Sequence, residues 1–156
     1  VKEPVKAPEI ENRRARHDYA IEDTLECGIE LLGTEVKSIR DGKMSLAEGF
    51  VMARAEPPSL ELHGVHIDEY PPAGRDRQHE PRRIRKLLAH RREIVRLATE
   101  VKAKGVALVP LKVYFTKGRA KLLLGVGKGR KKGDKREAIA EREMRRDIER
   151  EMGRRR

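Results

Sequence analysis

The stretch Tyr19-Ala-Ile-Glu-Asp-Thr-Leu-Glu-Cys-Gly-Ile-Glu-Leu31 decides the fold class. Tyr19, Ile21, Leu25, Cys27, Ile29 and Leu31 hold odd positions, with Asp23 the one exception. Glu22, Thr24, Glu26 and Glu30 hold even ones. Successive side chains of a strand point to opposite faces, so this period of two predicts a half-buried strand, with Gly28 a place to bend. Downstream, Gly33-Thr34-Glu35 opens a short helix that Thr34 caps, with Val36 and Ile39 inward and Gly42 as the stop. Strands are predicted at 49–55 and 59–67, turned by Pro57-Pro58, with a bulge at Gly64 that keeps Leu60, Leu62, Val65 and Ile67 on one face. After a polar loop at 71–80, Ile84, Leu87, Leu88, Arg91, Val95, Ala98 and Val101 recur at helical spacing. A long helix from Pro81 to Lys104 is predicted, stopped by Gly105. Residues 106–115 and 120–126 read as a hairpin turned at Thr116-Lys117-Gly118. The order is strand, short helix, two strands, long helix, hairpin. A mainly β chain, folded as a small antiparallel barrel with attached helices, satisfies it.

Composition narrows the classes. The 156 residues suit one domain with tails, and 37 Lys/Arg against 26 Asp/Glu leave a net charge of +11. Charged residues reach 40%, well above the usual quarter, and aromatics only 3%, so any core is small and aliphatic. No apolar run is long enough to span a bilayer and no stretch reads as a signal peptide. A cytoplasmic protein with a polyanionic partner is expected. The single cysteine, Cys27, lies on the inward register and excludes an internal disulfide or a Cys-rich zinc site. The five histidines lack metal-ligand spacing, and Ser38, Ser45 and Ser59 lack a nucleophile context. No metal, cofactor, small-molecule substrate or enzymatic activity is expected. The tail lacks the bulky apolar face that membrane binding needs.

Residues 1–11 read as a loose arm, 12–126 as the folded domain, and 127–156 as a basic tail carrying +6 of the +11. The tail's apolar stripe, Ala140, Met144, Ile148 and Met152, is thin, so the segment is expected to be disordered alone and to fold when bound. Three basic constellations stand out. Asn12-Arg-Arg-Ala-Arg-His-Asp-Tyr19 either meets phosphates and stacks a base, or is an exposed strand entry with Tyr19 in the core. Arg82, Arg83, Arg85 and Lys86 fall at the predicted start of the long helix, where cations oppose the helix dipole. They read either as an anion site or as a solvated face. Gly125-Val-Gly-Lys-Gly-Arg-Lys-Lys-Gly-Asp-Lys-Arg136 lacks a Walker pattern and reads as a backbone-tracking arm or a solubilising tail.

Several strings together resemble the SsrA-binding protein (small protein B) family. They are Asn12-Arg-Arg-Ala-Arg-His-Asp-Tyr19, Glu26-Cys-Gly28, Gly33-Thr-Glu-Val-Lys-Ser38, Arg85-Lys-Leu-Leu88, Leu108-Val-Pro-Leu-Lys112 and Asp134-Lys-Arg136, in family order over residues 12–150. The resemblance implies a barrel of oligonucleotide-binding type with about three helices and a basic tail. It implies binding to the tRNA-like domain of transfer-messenger RNA and delivery, with elongation factor Tu–GTP, to stalled ribosomes. The body stands in for a tRNA anticodon arm, and the tail becomes helical in the empty messenger channel near the decoding centre. Carried over by position, the RNA-facing residues are Asn12, Arg16, His17, Glu26, Leu88 and Lys121. The tail residues addressing the ribosome are Lys128, Gly129, Arg130, Lys131, Asp134, Lys135 and Arg136, with Asp134 as N-cap. Gly133 stands where the family usually has His or an aromatic, Arg130 where Lys is usual, and Cys27 where Ala is usual. A protein that binds ribosomal RNA constitutively is the alternative from another class, and a small RNA hydrolase a third.

Overall fold

The computed structural model describes the backbone of residues 7–130 and 132–154, and the side chains of residues 7–130 and 139–153. The alternating stretch forms β2 (Tyr19–Ile29). It pairs antiparallel with β9 (Arg119–Gly129), which returns from β8 (Ala107–Thr116). The hairpin turn is the two residues Lys117 and Gly118, both at positive φ (52° and 76°), as a type I′ turn requires. The remaining strands are β1 (Ile10–Glu11), β3 (Met44–Ser45), β4 (Phe50–Ala55), β5 (Pro58–His63), β6 (His66–Ile67) and β7 (Arg85–Leu88). The main sheet runs β1-β8-β9-β2-β7-β5-β4, entirely antiparallel, and β3 pairs with β6 in a second, two-stranded sheet. The chain is thus mainly β, as the sequence pattern predicts. Its terminal strands β1 and β4 are not paired to each other, so the hydrogen bonding is that of an open sheet.

Two bulges organise the interior. Between Ile21 and Asp23 the pairing with β9 slips by one residue, and between Pro110 and Lys112 the hairpin slips again. Each slip switches which parity faces inward. Leu25, Cys27 and Ile29 of β2, with Leu108 and Val113 of β8, enter or line the main core beside Leu122, Leu124 and Val126. Tyr19, Ile21, Val109 and Leu111 instead join Ala15 in a second, smaller core on the opposite face. The outlying Asp23 marks the first slip. Glycine makes the bulged region possible: a Cβ on Gly127 would lie 2.3 Å from the Ala20 carbonyl oxygen. Gly127→Ala is expected to lower stability by about 1–3 kcal/mol, read as a reduced urea midpoint with an unchanged slope.

Gly64 does not form a bulge within one strand. At φ 74° it breaks the chain between β5 and β6, and β6 leaves for the second sheet. Leu60, Leu62, Val65 and Ile67 are nevertheless all buried, as predicted. Each removes a full aliphatic side chain from water, worth about 1.5–3 kcal/mol.

The helices are α1 (Arg13–Asp18), α2 (Gly33–Arg40), α3 (Arg91–Lys104) and α4 (Lys132–Arg154). The cap of α2 is Leu32 rather than Thr34. Glu35 reaches back to accept the Leu32 N–H at 2.8 Å, while Thr34 Oγ1 pairs with Nδ1 of buried His79 at 2.8 Å. Helix α3 starts ten residues later than the spacing predicts. Its start signal is His90-Arg-Arg-Glu93, where Glu93 accepts the His90 N–H, and Gly105 ends it in the left-handed region. The first ten residues of the predicted helix are instead a turn, strand β7 and a short link, because Arg85 and Leu87 point inward and Lys86 and Leu88 outward, a period of two. Arg82, Arg83, Arg85 and Lys86 therefore flank no helix N-terminus, and the helix-dipole argument for an anion site at these residues does not apply.

The domain boundary also moves. Gly127, Lys128 and Gly129 pair with Ile21, Ala20 and Tyr19, so the body extends through Gly129 rather than stopping at Val126. Within the tail, residues 132–154 form α4. Its Ile139, Met144, Ile148 and Met152 are exposed, as a thin stripe dictates.

Candidate nucleic-acid interface

The second core fixes a basic helix on the outer face of the sheet. Asn12 is buried and caps α1. Its Oδ1 accepts the Ala15 N–H at 3.2 Å, and its Nδ2 donates to the carbonyls of Leu46 (3.1 Å) and Pro110 (2.8 Å). Both its Nδ2 protons and one of the two Oδ1 acceptor sites are used inside the protein. Asn12, at 7% exposure, acts in the fold as the cap that aims α1, and its edge lies in the surface cleft beside Arg13 and Arg16. Ala15 is the buried anchor of that helix, and Arg13 and Arg16 project from it, exposed. His17 is half-buried, with Nδ1 2.9 Å from Asp18 Oδ1.

Beyond α1 the outer face continues across the sheet. The cross-strand pairs are Lys112 with Leu123, Leu123 with Glu26, Tyr114 with Lys121, Lys121 with Gly28, and Gly28 with Leu88. Glu26, Leu88 and Lys121, far apart in sequence, therefore meet on one face. Gly28 has no side chain, and Leu88 lies over it. Leu88 is 47% exposed, an apolar contact offered to a partner. Gly28, Leu88 and Lys121 line a cavity of about 300 Å³ with Phe115 and Arg119. Such a face offers cations to phosphates and an apolar ledge to ribose or base edges.

Two residues of this face escape the sequence reading, Lys112 and Tyr114. Tyr114 donates its hydroxyl proton to the Glu26 carboxylate, and Lys112 Nζ lies 5.2 Å from the Tyr114 ring centroid. Burial, then the Glu26 carboxylate, pushes the Tyr114 phenol up to about 12, so it remains a donor. The bond fixes the orientation of Glu26 on a basic face, where its second oxygen is left to accept from a partner's amino groups. The available signal was the alternation of Lys112 and Tyr114 with Val113 and Phe115.

The other predicted residues are placed as follows. Lys128 and Gly129 end β9, exposed; the Arg130 N–H bonds to the Asp18 carbonyl at 2.8 Å. These three belong to the body rather than to a detached tail. Lys131 lies outside the described residues. Asp134, Lys135 and Arg136 fall within α4; Asp134 is inside its first turn, not ahead of it as a cap. Arg82 pairs with Glu48 at 3.4 Å, and Lys86 is exposed on the outer face of β7. Arg83 and Arg85 turn inward to Glu35. Arg85 and Glu35 are both 0% exposed, with Nε 2.7 Å from Oε2, and Arg83 Nη2 lies 2.5 Å from Oε1. Cys27 is buried, and burial, with the charges of Glu93 and Glu26, pushes its thiol up to about 12. It is an inert core group at neutral pH.

A protein-family model described as "SmpB protein" matches residues 9–154. The chain belongs to the SmpB family. Among its relatives is the SsrA-binding protein of Thermobifida fusca, 51% identical over 146 residues, covering 94% of this chain and 89% of the relative. The SsrA-binding protein of a Geobacillus species is 53% identical over 140 residues, covering 90% and 88%. That of Saccharopolyspora erythraea is 50% identical over 144 residues, covering 92% and 89%. A solved structure described as "tmRNA-SmpB: a journey to the center of the bacterial ribosome" aligns with TM-score 0.66 and 47% identity, over 85% of this chain and 95% of that one. In this SmpB-family chain the face built from α1, β8, β9, β2 and β7 is the candidate interface.

Proposed function

We infer that this chain is a non-enzymatic RNA-binding adaptor that binds transfer-messenger RNA and brings it to stalled ribosomes for trans-translation. The observation that carries this is SmpB-family membership over residues 9–154, which contain the whole outer face. Arg16 and Lys121 contact the RNA backbone, Leu88 packs against a ribose or base, Glu26 with Tyr114 fixes the polar centre, and His17 offers a ring for stacking. The sheet, curled as an oligonucleotide-binding-type barrel, stands in for a tRNA anticodon arm. Elongation factor Tu–GTP joins through the RNA. The tail, disordered when the protein is alone, enters the messenger channel as a helix, and the protein works in the cytoplasm.

The test is fluorescence anisotropy with a labelled tRNA-like domain of transfer-messenger RNA. Micromolar protein at moderate salt is expected to bind it, with log affinity falling linearly in log salt. Lys121→Glu is expected to weaken binding and to reduce the salt slope by about 1. No binding by the wild type would overturn the function. Equal binding to ribosomal RNA fragments of similar length would favour the constitutive ribosomal-RNA reading.

A further inference from the structure

The cavity of about 300 Å³ beside Leu88 is an open end of the sheet's interior. The inward register of β9 runs Val126, Leu124 and Leu122, all in the main core, and then reaches Ala120 next to the hairpin turn. Three large aliphatic side chains are thus followed by a methyl group. Phe115 is the pairing partner of Ala120, and Ile29, Leu31 and Val36 line the same space. Leu31, Val36 and Phe115 are only half-buried, so apolar surface at this end is left to water. A leucine at position 120 would cover it; alanine leaves it open.

The rim of the cavity is cationic. Arg119 and Lys121 stand on it with Leu88, and no carboxylate lines it among the described residues. The Arg40 guanidinium lies 5.0 Å from the Phe115 ring centroid and adds a third positive charge nearby. A volume of this size is at the lower limit of ligand pockets and admits one planar ring, not a duplex. RNA is read mostly in single-stranded loops, whose unstacked bases splay out onto aromatic or apolar surfaces. A phosphate held by Arg119 or Lys121 brings its base to the cavity mouth. The lining side chains that form hydrogen bonds, Arg119 and Lys121, are donors, so the base edge that meets them must carry acceptors. Guanine offers O6 and N7 and uracil offers O4, whereas adenine puts a donor amino group there.

We propose that this cavity is a nucleobase pocket: one unpaired guanine or uracil of the tRNA-like domain leaves its stack and enters beside Ala120, Val36 and Phe115, while Arg119 and Lys121 hold its phosphate and its acceptor edge. The pocket rests on the RNA-binding function proposed above and adds base selection to a face that otherwise grips backbone. The small side chain at position 120 serves the base rather than the fold.

The experiment removes the base and fills the pocket in one cycle. Single abasic substitutions are placed in turn at each unpaired nucleotide of the labelled tRNA-like domain, and binding to the full wild-type chain is measured across a salt series. One position, a guanine or uracil, is expected to weaken binding about tenfold, within the range for one stacked base, with the salt slope unchanged because no phosphate is lost. Adenine at that position is expected to cost about as much. Ala120→Leu and Val36→Phe fill the cavity from two different elements. Both are expected to keep the wild-type melting temperature and to bind intact RNA about tenfold more weakly, yet to bind the abasic RNA as the wild type does. Should one of them lose its fold, the other and the abasic scan still decide. A scan with no sensitive position, free acceptance of adenine, or equal losses on intact and abasic RNA would overturn the pocket. Normal RNA binding by the filled variants with a loss of tagging alone would assign the cavity to a protein side chain and overturn it as well. If the wild type itself does not bind, the parent function falls and the pocket with it; if the wild type binds and the cycle is additive, only the pocket falls.

Discussion

Glu35→Gln is expected to cost about 3–5 kcal/mol of stability, a large share of the roughly 5–15 kcal/mol that holds a domain folded. The Glu35 carboxylate is wholly buried and both its oxygens accept hydrogen bonds. Arg85 donates from Nε at 2.7 Å, Arg83 from Nη2 at 2.5 Å, and the Leu32 N–H at 2.8 Å. Arg85 is equally buried, and its remaining donors go to the carbonyls of Val65 (2.8 Å) and Pro81 (3.0 Å). The cluster thereby joins α2, β7 and the segments on either side of the 71–80 loop. An amide in place of the carboxylate leaves a buried guanidinium uncompensated and aims N–H donors at N–H donors. Removing one partner is therefore much worse than replacing the pair. Glu35→Leu/Arg85→Leu is expected to lose less than the two single changes summed, because Arg83 is already one third exposed and can turn to water.

The same cluster sets an acid limit. Burial alone would raise the Glu35 carboxyl, but the Arg83, Leu32 and Arg85 hydrogen bonds outweigh it and hold the group below its ordinary 4.5. A depressed folded value means the unfolded chain binds the proton more readily, so this contribution is complete above about pH 4.5 and is lost as pH falls through the folded value. Urea midpoints measured from neutral pH downward should show that loss in the wild type and not in Glu35→Gln. A variant with the wild-type midpoint at neutral pH would show that the cluster does not clamp the fold.

The features that composition and spacing miss are those set by partners distant in sequence. The period of two in 19–31 declares β2 correctly, yet it cannot show that the stripe divides between two cores. That depends on where β9 slips, and Asp23 alone marks the place. Arg85 reads as a polar position on a helix because the carboxylate that neutralises it lies fifty residues away. Once Arg85 is allowed inward, 85–88 alternates as plainly as 19–31. Glu26, Leu88 and Lys121 carry no local signature of RNA contact. They enter through the family resemblance, and it is the β7-β2-β9 register that brings them to one face. Asn12 looks like part of a basic contact segment, but an amide beside a helix start is also a cap, and burial decides for the cap. Alternation with Val113 and Phe115 puts Tyr114 on the outer register, but only the pairing with Lys121 and the bond to Glu26, 88 residues away, show it to be part of the interface.

Truncation after Arg130 is expected to separate two activities. The cut belongs there because β9 runs through Gly129, whose residues close the sheet over Tyr19 to Ile21, and because the Arg130 N–H bonds the Asp18 carbonyl. A cut after Val126 would expose the second core and release α1, so loss of RNA binding in that protein would report unfolding rather than recognition. The 1–130 protein should keep a melting temperature near that of the full chain, since the described apolar side chains of α4 bury little. It should still bind the tRNA-like domain through the outer face, with an affinity within a few-fold of the full chain at moderate salt, where charges beyond the ~8 Å Debye length are screened. Tagging of stalled chains in a reconstituted translation system should fall to background, because the segment proposed to enter the messenger channel is gone. Parallel loss of binding and tagging in 1–130, with its melting temperature preserved, would mean that body and tail form a single RNA site and that the division of labour is wrong.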